Sequence, residues 1–237
     1  MSLAEQYIAF MTIVRKEIKR YLRIWTQTLL PSAITMSLYF VIFGTLIGSR
    51  IGEMGGFSYM QFVVPGLIMM AIVTNSYSNV VSSFFGSKFN NSVEELLVSP
   101  VPNYVILMGY VTGGVTRGLF VAIVVTLVSL FFTELHIHSY LVVVVIVLMT
   151  SVLFALAGFI NAVYANSFDD ISIVPTFVLT PLIYLGGVFY SMDLLPEFWA
   201  NVSRLNPLVY VVNAFRYGML GVSDVSLTVS FAMIAFF

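Results

Sequence analysis

Charged side chains are few in this chain and are grouped in a small number of places. Two adjacent carboxylates, Glu94 and Glu95, follow a serine in the sequence S-V-E-E, and a second acidic pair is Asp169-Asp170. Five of the ten lysines and arginines lie within the first 23 residues. Exposed groups of this kind suit contacts with a partner protein or with lipid headgroups, rather than the making and breaking of bonds.

The motifs of ATP hydrolysis and of membrane-bound hydrolases are absent. The sequence has no G-x-x-x-x-G-K-[ST], because Gly86-Ser87-Lys88 is followed by Phe89 and Ser82 stands where the first glycine belongs. It also has neither H-E-x-x-H nor G-x-S-x-G. We therefore predict that the chain is not an enzyme and holds no cofactor of its own.

The sequence lacks buried acidic residues in its predicted spans and has no convincing metal site. No Asp or Glu lies in the core of any predicted span, where proton- or sodium-coupled carriers usually place one. His136 and His138 have a spacing that suits a metal, but lone surface histidines are more common, so no metal site is predicted. Uphill transport would then take its energy from another protein.

Composition assigns the chain to the membrane. Of its 237 residues, 59% are hydrophobic and 9% are charged, and the mean hydropathy is +1.00. A typical soluble domain has about 25% charged residues, so we predict an integral membrane protein in contact with lipid. A net charge of −1 gives no indication of a nucleic-acid partner.

Residues 1–25 form the first predicted element, an amphipathic helix. Its apolar residues recur at intervals of three and four, and its cations fall on the opposite arc. We expect this helix to lie in the headgroup plane, apolar side down, while the alternative is a basic flank that sets orientation. Both interpretations place the N-terminus in the cytoplasm. The interfacial cations are Arg15, Lys16, Lys19, Arg20 and Arg23.

Apolar segments predict a single all-α transmembrane domain over residues 1–237, with a bundle of six helices. The five complete spans are predicted at residues 28–47, 59–81, 105–132, 141–163 and 171–190. Residues 194–221 predict an outer re-entrant helical hairpin, and residues 225–237 begin a sixth span. That last stretch is too short to cross a bilayer. We expect a truncated sixth span, the alternative being a terminal re-entrant piece.

The loop at residues 85–104 carries a short helix. Ser92 and Glu95 match a capping box, and Pro100 and Pro102 stop the helix, which is predicted at about residues 93–98. Two spans after a cytoplasmic N-terminus, this loop is cytoplasmic. The helix either lies flat beneath the membrane and docks a partner or merely connects two spans.

Polar residues inside the predicted spans suggest two kinds of contact. Asn75 and Asn79 are four apart and share a helix face, which would either bond another helix or line a hydrated path. Arg117 is expected toward the cytoplasmic side, paired with Asp169 or Asp170. The aspartates also suit the N-cap of the fifth span, and the two roles are compatible.

The full pattern resembles the ABC-2 type permease family, the membrane subunits of ATP-binding-cassette exporters. The resemblance covers essentially the whole chain. It is carried by the basic N-terminal helix, by EELLVSPVP between spans 2 and 3, and by the blocks VPTFVLTPLIYLGGVFYSMDLLPEFW and LNPLVYVVNAFRYGMLG. The incomplete sixth span departs from the family pattern.

The resemblance implies an exporter with two permease copies around a central pathway in the inner membrane. Separate ATPase subunits would bind ATP and Mg²⁺ beneath them and contact the loop and the N-terminal helix. Carried over by position, the coupling element is Ser92, Glu94, Glu95, Leu96, Leu97 and Pro100, and the pathway candidates are Asn75, Asn79, Thr176, Thr180 and Tyr184. Two other classes stay open: a passive channel or secondary carrier, and a non-transporting membrane scaffold.

Overall fold

Four long helices dominate the computed structural model, which describes residues 1–237. By length and composition they can cross a membrane, and they occupy residues 25–51, 59–89, 103–129 and 140–164. The only strands form one short antiparallel hairpin, in which Glu53 pairs with Ser58. The predicted all-helical class is therefore confirmed.

The elements follow one another in a simple order. The α-helices are α1 (Leu3–Arg23), α2 (Trp25–Thr28), α3 (Leu30–Tyr39), α4 (Gly48–Ile51), α5 (Tyr59–Phe89), α6 (Ser92–Val98), α7 (Asn103–Ser129), α8 (Tyr140–Tyr164), α9 (Phe168–Ile173), α10 (Thr180–Tyr184), α11 (Glu197–Arg204), α12 (Pro207–Leu220) and α13 (Leu227–Phe236). Two π-helical segments, Phe40–Ile47 and Val174–Leu179, join α3 to α4 and α9 to α10. The remaining elements are β1 (Glu53–Met54), β2 (Phe57–Ser58) and a 3₁₀ turn (Met192–Leu194).

Helix α5 is the centre of the bundle and packs against both α7 and α8. It is buried over most of its length, whereas few of residues 25–51 are buried in the single chain. Small residues let the backbones approach: a Cβ atom added at Gly158 of α8 would lie 2.6 Å from the Tyr77 carbonyl oxygen of α5. Close backbone packing is how membrane helices associate where lipid is as apolar as leucine. We call α5, α7 and α8 the scaffold.

Residues 25–51 (α2 to α4) and residues 168–184 (α9 to α10) form the second region, which we call the outer pair. Each is a continuous helical run interrupted by one of the π segments. The two runs meet through the hydroxyl groups of Tyr39 and Tyr184, 3.3 Å apart, while the Tyr184 side chain stays half exposed. A few apolar side chains of the outer pair, among them Phe40 and Ile183, are buried in the core, so the outer pair is packed less extensively than the scaffold.

The segment after residue 184 folds back into the protein. Helix α11 is largely exposed, whereas α12 is buried among α5, α8 and α13. Arg216 of α12 donates to the carbonyl oxygens of Gly187 (2.6 Å) and Phe62 (3.4 Å), and its guanidinium stacks 3.8 Å above the Phe62 ring. This arginine fixes the irregular backbone after residue 184 to the scaffold.

The predicted fifth and sixth spans are represented by shorter helical runs than the other four. The helical part of the fifth is residues 168–184, and the last helix is Leu227–Phe236. The predicted total of six crossings and the re-entrant path of residues 194–221 stay predictions.

Candidate functional site

The short helix α6 lies in the loop between α5 and α7, as the sequence predicted, but its start is built differently. Asn91 takes the left-handed conformation (φ 57°) and makes no side-chain cap, and the Ser92 hydroxyl donates to the Ser87 carbonyl oxygen at 3.1 Å. The predicted Ser92–Glu95 capping box is therefore wrong. Asn tolerates the left-handed turn that reverses the chain here, so the serine is free to tie α6 to the end of α5.

One face of α6 is open and mixed in character. Glu94, Glu95, Leu97 and Val98 are exposed, Leu96 is half-buried and Val93 is buried against the bundle. Pro100 follows directly and is exposed. Two carboxylates beside two uncovered aliphatic side chains make a small exposed surface that is both negatively charged and apolar.

Helix α1 packs beside this loop and against the first half of α7, and its expected position in the headgroup plane stays a prediction. Tyr104 donates to the Gln6 amide oxygen at 2.6 Å, and Cβ atoms added at Gly109 and Gly113 would lie 2.6 Å from side-chain atoms of Ile13 and Glu17. The residue numbers of these contacts increase together along both helices, so α1 runs beside the first half of α7 in the same direction.

The cations of α1 divide between the bundle and the surface. Lys16 donates to Ser87 (3.5 Å) and Tyr110 (3.4 Å), and Arg20 donates to the backbone and side-chain oxygens of Asn79 at 2.9 and 2.8 Å. Their counterparts on the outer arc, Arg15, Lys19 and Arg23, are exposed. Two of the five predicted interfacial cations therefore form hydrogen bonds with hydroxyl and amide groups on α5 and α7.

A buried carboxylate on α1 was missed from the sequence. Glu17 is fully buried, accepts a hydrogen bond from Ser83 at 2.6 Å and lies 3.4 Å from Arg20. A burial signal was present in the sequence, since Gly109 and Gly113 are four apart and mark one small-residue face of α7. Glu17 and Arg20 together hold α1 against the scaffold.

Asn75 and Asn79 are buried and hydrogen-bonded between helices in the single chain. Asn75 donates to the Ser32 hydroxyl (3.2 Å) and accepts from Arg117 (3.0 Å). Asn79 accepts from Arg20 and is fully buried. Of the two alternatives for this face, the structure has the helix-to-helix bonds.

Arg117 does not pair with an aspartate. Its guanidinium donates to the Asn75 oxygen, and the only ion pair in the chain is the one between Arg20 and Glu17. The expected pairing with Asp169 or Asp170 is therefore wrong, because Asp170 is used at the start of α9.

Asp170 takes part in the start of α9 as the third residue of a capping box. The Ser167 hydroxyl accepts from the Asp170 backbone, and the Asp170 carboxylate accepts from the backbone N–H groups of Asn166 (2.8 Å) and Ser167 (3.0 Å). The hydrogen bond from Asn166 is the main reason that the pKa of Asp170 lies below its usual value. The predicted N-cap role is thus nearly right, with Ser167 as the cap itself.

Helices α5 and α8 are joined at the same end of the bundle. Lys88 donates to the carbonyl oxygens of Ala165 (2.6 Å) and Val163 (2.8 Å) at the end of α8. The lysine satisfies carbonyl groups that have no partner within a helix. The end of α5, directly before the loop that carries α6, is therefore in direct contact with the end of α8.

Thr176, Thr180 and Tyr184 are spaced by four and are exposed on one side of residues 168–184. The Thr180 hydroxyl donates to the Pro175 carbonyl oxygen at 2.8 Å, as expected where a proline breaks the ladder. Tyr184 stacks on Phe189, which also stacks on Phe43 of the outer pair. Apart from the contacts of Tyr184 with Tyr39 and Phe189, these side chains form an exposed polar and aromatic strip.

Comparison with known proteins gives a consistent result. The profile described as ABC-2 type transporter matches residues 8–220. The chain is similar to an inner membrane transport permease, YadH, of Escherichia coli strain K12, at 61% identity over 98% of this chain and 90% of the relative. Nodulation protein J of Rhizobium leguminosarum biovar viciae is 23% identical over 78% of this chain and 71% of the relative. Nodulation protein J of Neorhizobium galegae is 21% identical over 92% of this chain and 84% of the relative.

Proposed function

This chain belongs to the ABC-2 type transporter family, and on that premise we propose that it is the permease subunit of an exporter driven by a separate ATPase. It is a multi-pass inner-membrane protein and not itself an enzyme. The observation that carries the proposal is the exposed face of α6, which offers carboxylates and aliphatic side chains at the end of the bundle that also holds α1.

Docking of the ATPase occurs on α6, through Glu94, Glu95 and Leu97. The carboxylates select a basic surface, and the aliphatic side chains supply the apolar area that lasting contact needs. The N-terminus, α1 and α6 are then cytoplasmic, as the excess of cations in α1 favours. ATP and Mg²⁺ are held by the partner, since this chain has no phosphate-binding loop.

Force on α6 reaches the scaffold through short polar contacts. Ser92 ties α6 to Ser87, and the Ser87 hydroxyl also receives hydrogen bonds from Tyr110 (3.1 Å) and Lys16 (3.5 Å). One residue of α5 therefore links α6, α1 and α7. Because packed helices shift as rigid units, movement of the loop is passed to α5 and α7 together.

The pathway lies on the outer pair, between two copies of the chain. Thr176, Thr180 and Tyr184 supply hydroxyl groups along one side of residues 168–184. Both runs of the outer pair contain π segments, which are frequent at functional sites. Six crossings per copy and alternating access between two copies complete the proposal.

The experiment combines the chain with the ABC ATPase encoded nearest to it. Reversal of both charges (E94K/E95K) should reduce co-purification of that ATPase at least several-fold, while the amount of permease in the membrane is unchanged. The matched control is Glu53→Lys, an exposed glutamate in the hairpin at the other end of the chain's first span. Undiminished co-purification would remove α6 as the docking element.

A second measurement separates the exporter from the other classes. In liposomes, substrate movement by the exporter requires the ATPase and ATP. Movement by the permease alone would indicate a channel or carrier, and no movement with an intact complex would indicate a scaffold.

A further inference from the structure

Arg117 is a buried cation without an acidic partner. Its side chain is 9% exposed, its one side-chain partner is the neutral amide of Asn75, and its Nε atom makes no hydrogen bond. Arg20 acts on it as a like charge, and the Nε atom of Arg20 is also without a partner. A buried charge is costly unless it is paired. A group from outside the chain that brings negative charge to this position would remove that cost.

The length of α5 places Arg20 near the depth of the lipid headgroups and Arg117, which binds Asn75, about one helical turn deeper. From Tyr59, where α5 begins, to Asn79 the helix rises about 30 Å, which equals the thickness of the hydrocarbon core. Asn79 is the residue to which Arg20 donates. The side-by-side course of α1 and α7 then brings Arg117 level with the end of α1, directly before residues 25–51 begin.

An apolar groove opens on the surface of the bundle one helical turn from Arg117, which is not itself a lining residue. It has a volume of about 440 Å³ and is lined only by apolar residues, among them Trp25, Leu29, Ala33, Phe120 and Val124. Phe120 is one helical turn after Arg117, and Trp25 is 53% exposed. Ser32, between two groove residues, receives the hydrogen bond from Asn75, which in turn binds Arg117. A charged site and an acyl-sized groove thus meet at one level of the bundle.

We infer that this groove holds an acyl chain of an anionic phospholipid from the leaflet on the α1 side, with the lipid phosphate facing Arg117 and Arg20. The groove is open to the bilayer from the side, so a resident lipid can enter without any opening of the chain. A free phosphate would meet the charge but would leave the apolar surface uncovered. This inference concerns the single copy in a membrane and does not depend on the ATPase or on the direction of transport.

The chain carries its own reporter for a test. It has two tryptophans, Trp25 in the groove and Trp199 on α11. In a Trp199→Phe variant the fluorescence comes from Trp25 alone, and Trp25→Phe gives the matched control. Each variant of the full chain is placed in nanodiscs that contain dibrominated phosphatidylglycerol or dibrominated phosphatidylcholine with the same acyl chains. The bromine atoms quench a tryptophan that they touch.

From the quenching of Trp25 we expect an apparent affinity for phosphatidylglycerol that is about fivefold higher than the affinity for phosphatidylcholine. A factor of this size corresponds to roughly one arginine–headgroup contact. At Trp199 the two lipids should quench alike. Arg117→Gln should remove most of the preference at Trp25, whereas Lys19→Gln, an exposed cation of α1, should leave it intact.

Several outcomes would overturn the inference. Equal quenching by both lipids at Trp25, or the same preference at Trp199, would mean no specific site. Full preference in Arg117→Gln would move recognition to the exposed cations. Displacement by excess inorganic phosphate would assign the site to a free anion. If Arg117→Gln does not fold, the comparison of Trp25 with Trp199 in the two single-tryptophan variants that retain Arg117 decides the question.

Discussion

The scaffold and the outer pair are built from equally apolar sequence, yet they are held in different ways. In the scaffold, helices approach so closely that an added methyl group at Gly158 would meet backbone, and Asn75 and Tyr77 of α5 are bonded to neighbouring helices. The outer pair has two π segments, prolines and half-exposed tyrosines. Apolar composition therefore indicates which segments enter the membrane. Small residues and hydrogen bonds between helices indicate which of these segments are held in one position.

This difference suits a transporter. A rigid block is needed to carry force from α6, and a less constrained pair is needed to change shape along the pathway. Helix α1 belongs with the rigid block, because Glu17 and Arg20 attach it to α5 and α7. The predictions below compare matched substitutions in the two regions or at their attachments.

The largest effect is expected at the scaffold contact of Gly158. In Gly158→Ala the new Cβ would lie 2.6 Å from the Tyr77 carbonyl oxygen, and overpacking of this kind costs about 1–3 kcal/mol. Gly86→Ala on α5 makes the same change where nothing lies within 4 Å, and should stabilise the helix by up to about 1 kcal/mol. Thermal unfolding of both variants in detergent gives the comparison, and equal midpoints would refute the description of α5 and α8 as closely packed.

The second largest effect on stability is expected where α1 is attached to the scaffold. Glu17→Gln keeps an acceptor for Ser83 but removes the charge that faces Arg20. This substitution should lower the free energy of unfolding by about 1–2 kcal/mol, because hydrogen bonds to charged groups are stronger than those between neutral groups. Glu95→Gln, at an exposed carboxylate, should change stability by less than about 0.5 kcal/mol. Hydrogen exchange of the α1 amides should rise in Glu17→Gln only, and unchanged exchange would mean that apolar packing alone holds α1.

The sequence predicted the fold class because the long apolar runs and the basic N-terminal pattern are direct signals. It also located α6, since Pro100 and Pro102 mark where a helix must end. The Ser92 capping box was wrong because a left-handed Asn91 already makes the turn. A capping box does occur at Ser167–Asp170, where the spacing S-x-x-D is present. The sequence predicted the aspartates as N-caps and as partners for Arg117, and the cap itself is Ser167.

Interactions between distant residues were harder to predict. The burial of Glu17 depends on glycines 92 and 96 positions away, and a helical wheel of α1 contains no such information. The same applies to Arg216, whose carbonyl partners come from α5 and from the turn at Gly187. Local patterns determine the elements, whereas the partners of buried charges depend on how the elements meet.

A Tyr-to-Phe pair compares the two regions directly. The Tyr77 hydroxyl, in the scaffold, accepts from Asn161 at 2.7 Å, so Tyr77→Phe leaves the amide without this partner. The cost should be about 1 kcal/mol. Tyr184→Phe removes the contact with Tyr39 at a half-exposed position and keeps the ring stack on Phe189. Its effect on unfolding should stay below about 0.5 kcal/mol, and a larger effect than that of Tyr77→Phe would remove the distinction between the regions.

The smallest effect is expected where the outer pair begins, at two neighbouring aspartates. Asp170 accepts backbone hydrogen bonds from Asn166 and Ser167, whereas the Asp169 side chain takes part in none. Asp170→Asn should lower the unfolding midpoint slightly and Asp169→Asn should not. Because the Asn166 hydrogen bond holds the folded pKa of Asp170 below its ordinary 3.8, the contribution of the carboxylate is present above about that pH and is lost as the pH falls through the folded value. The difference in unfolding midpoint between the unaltered chain and Asp170→Asn should therefore stay constant from pH 8 to about pH 5. A decline of this difference within that pH window would show that the cap does not hold the carboxylate in its charged form.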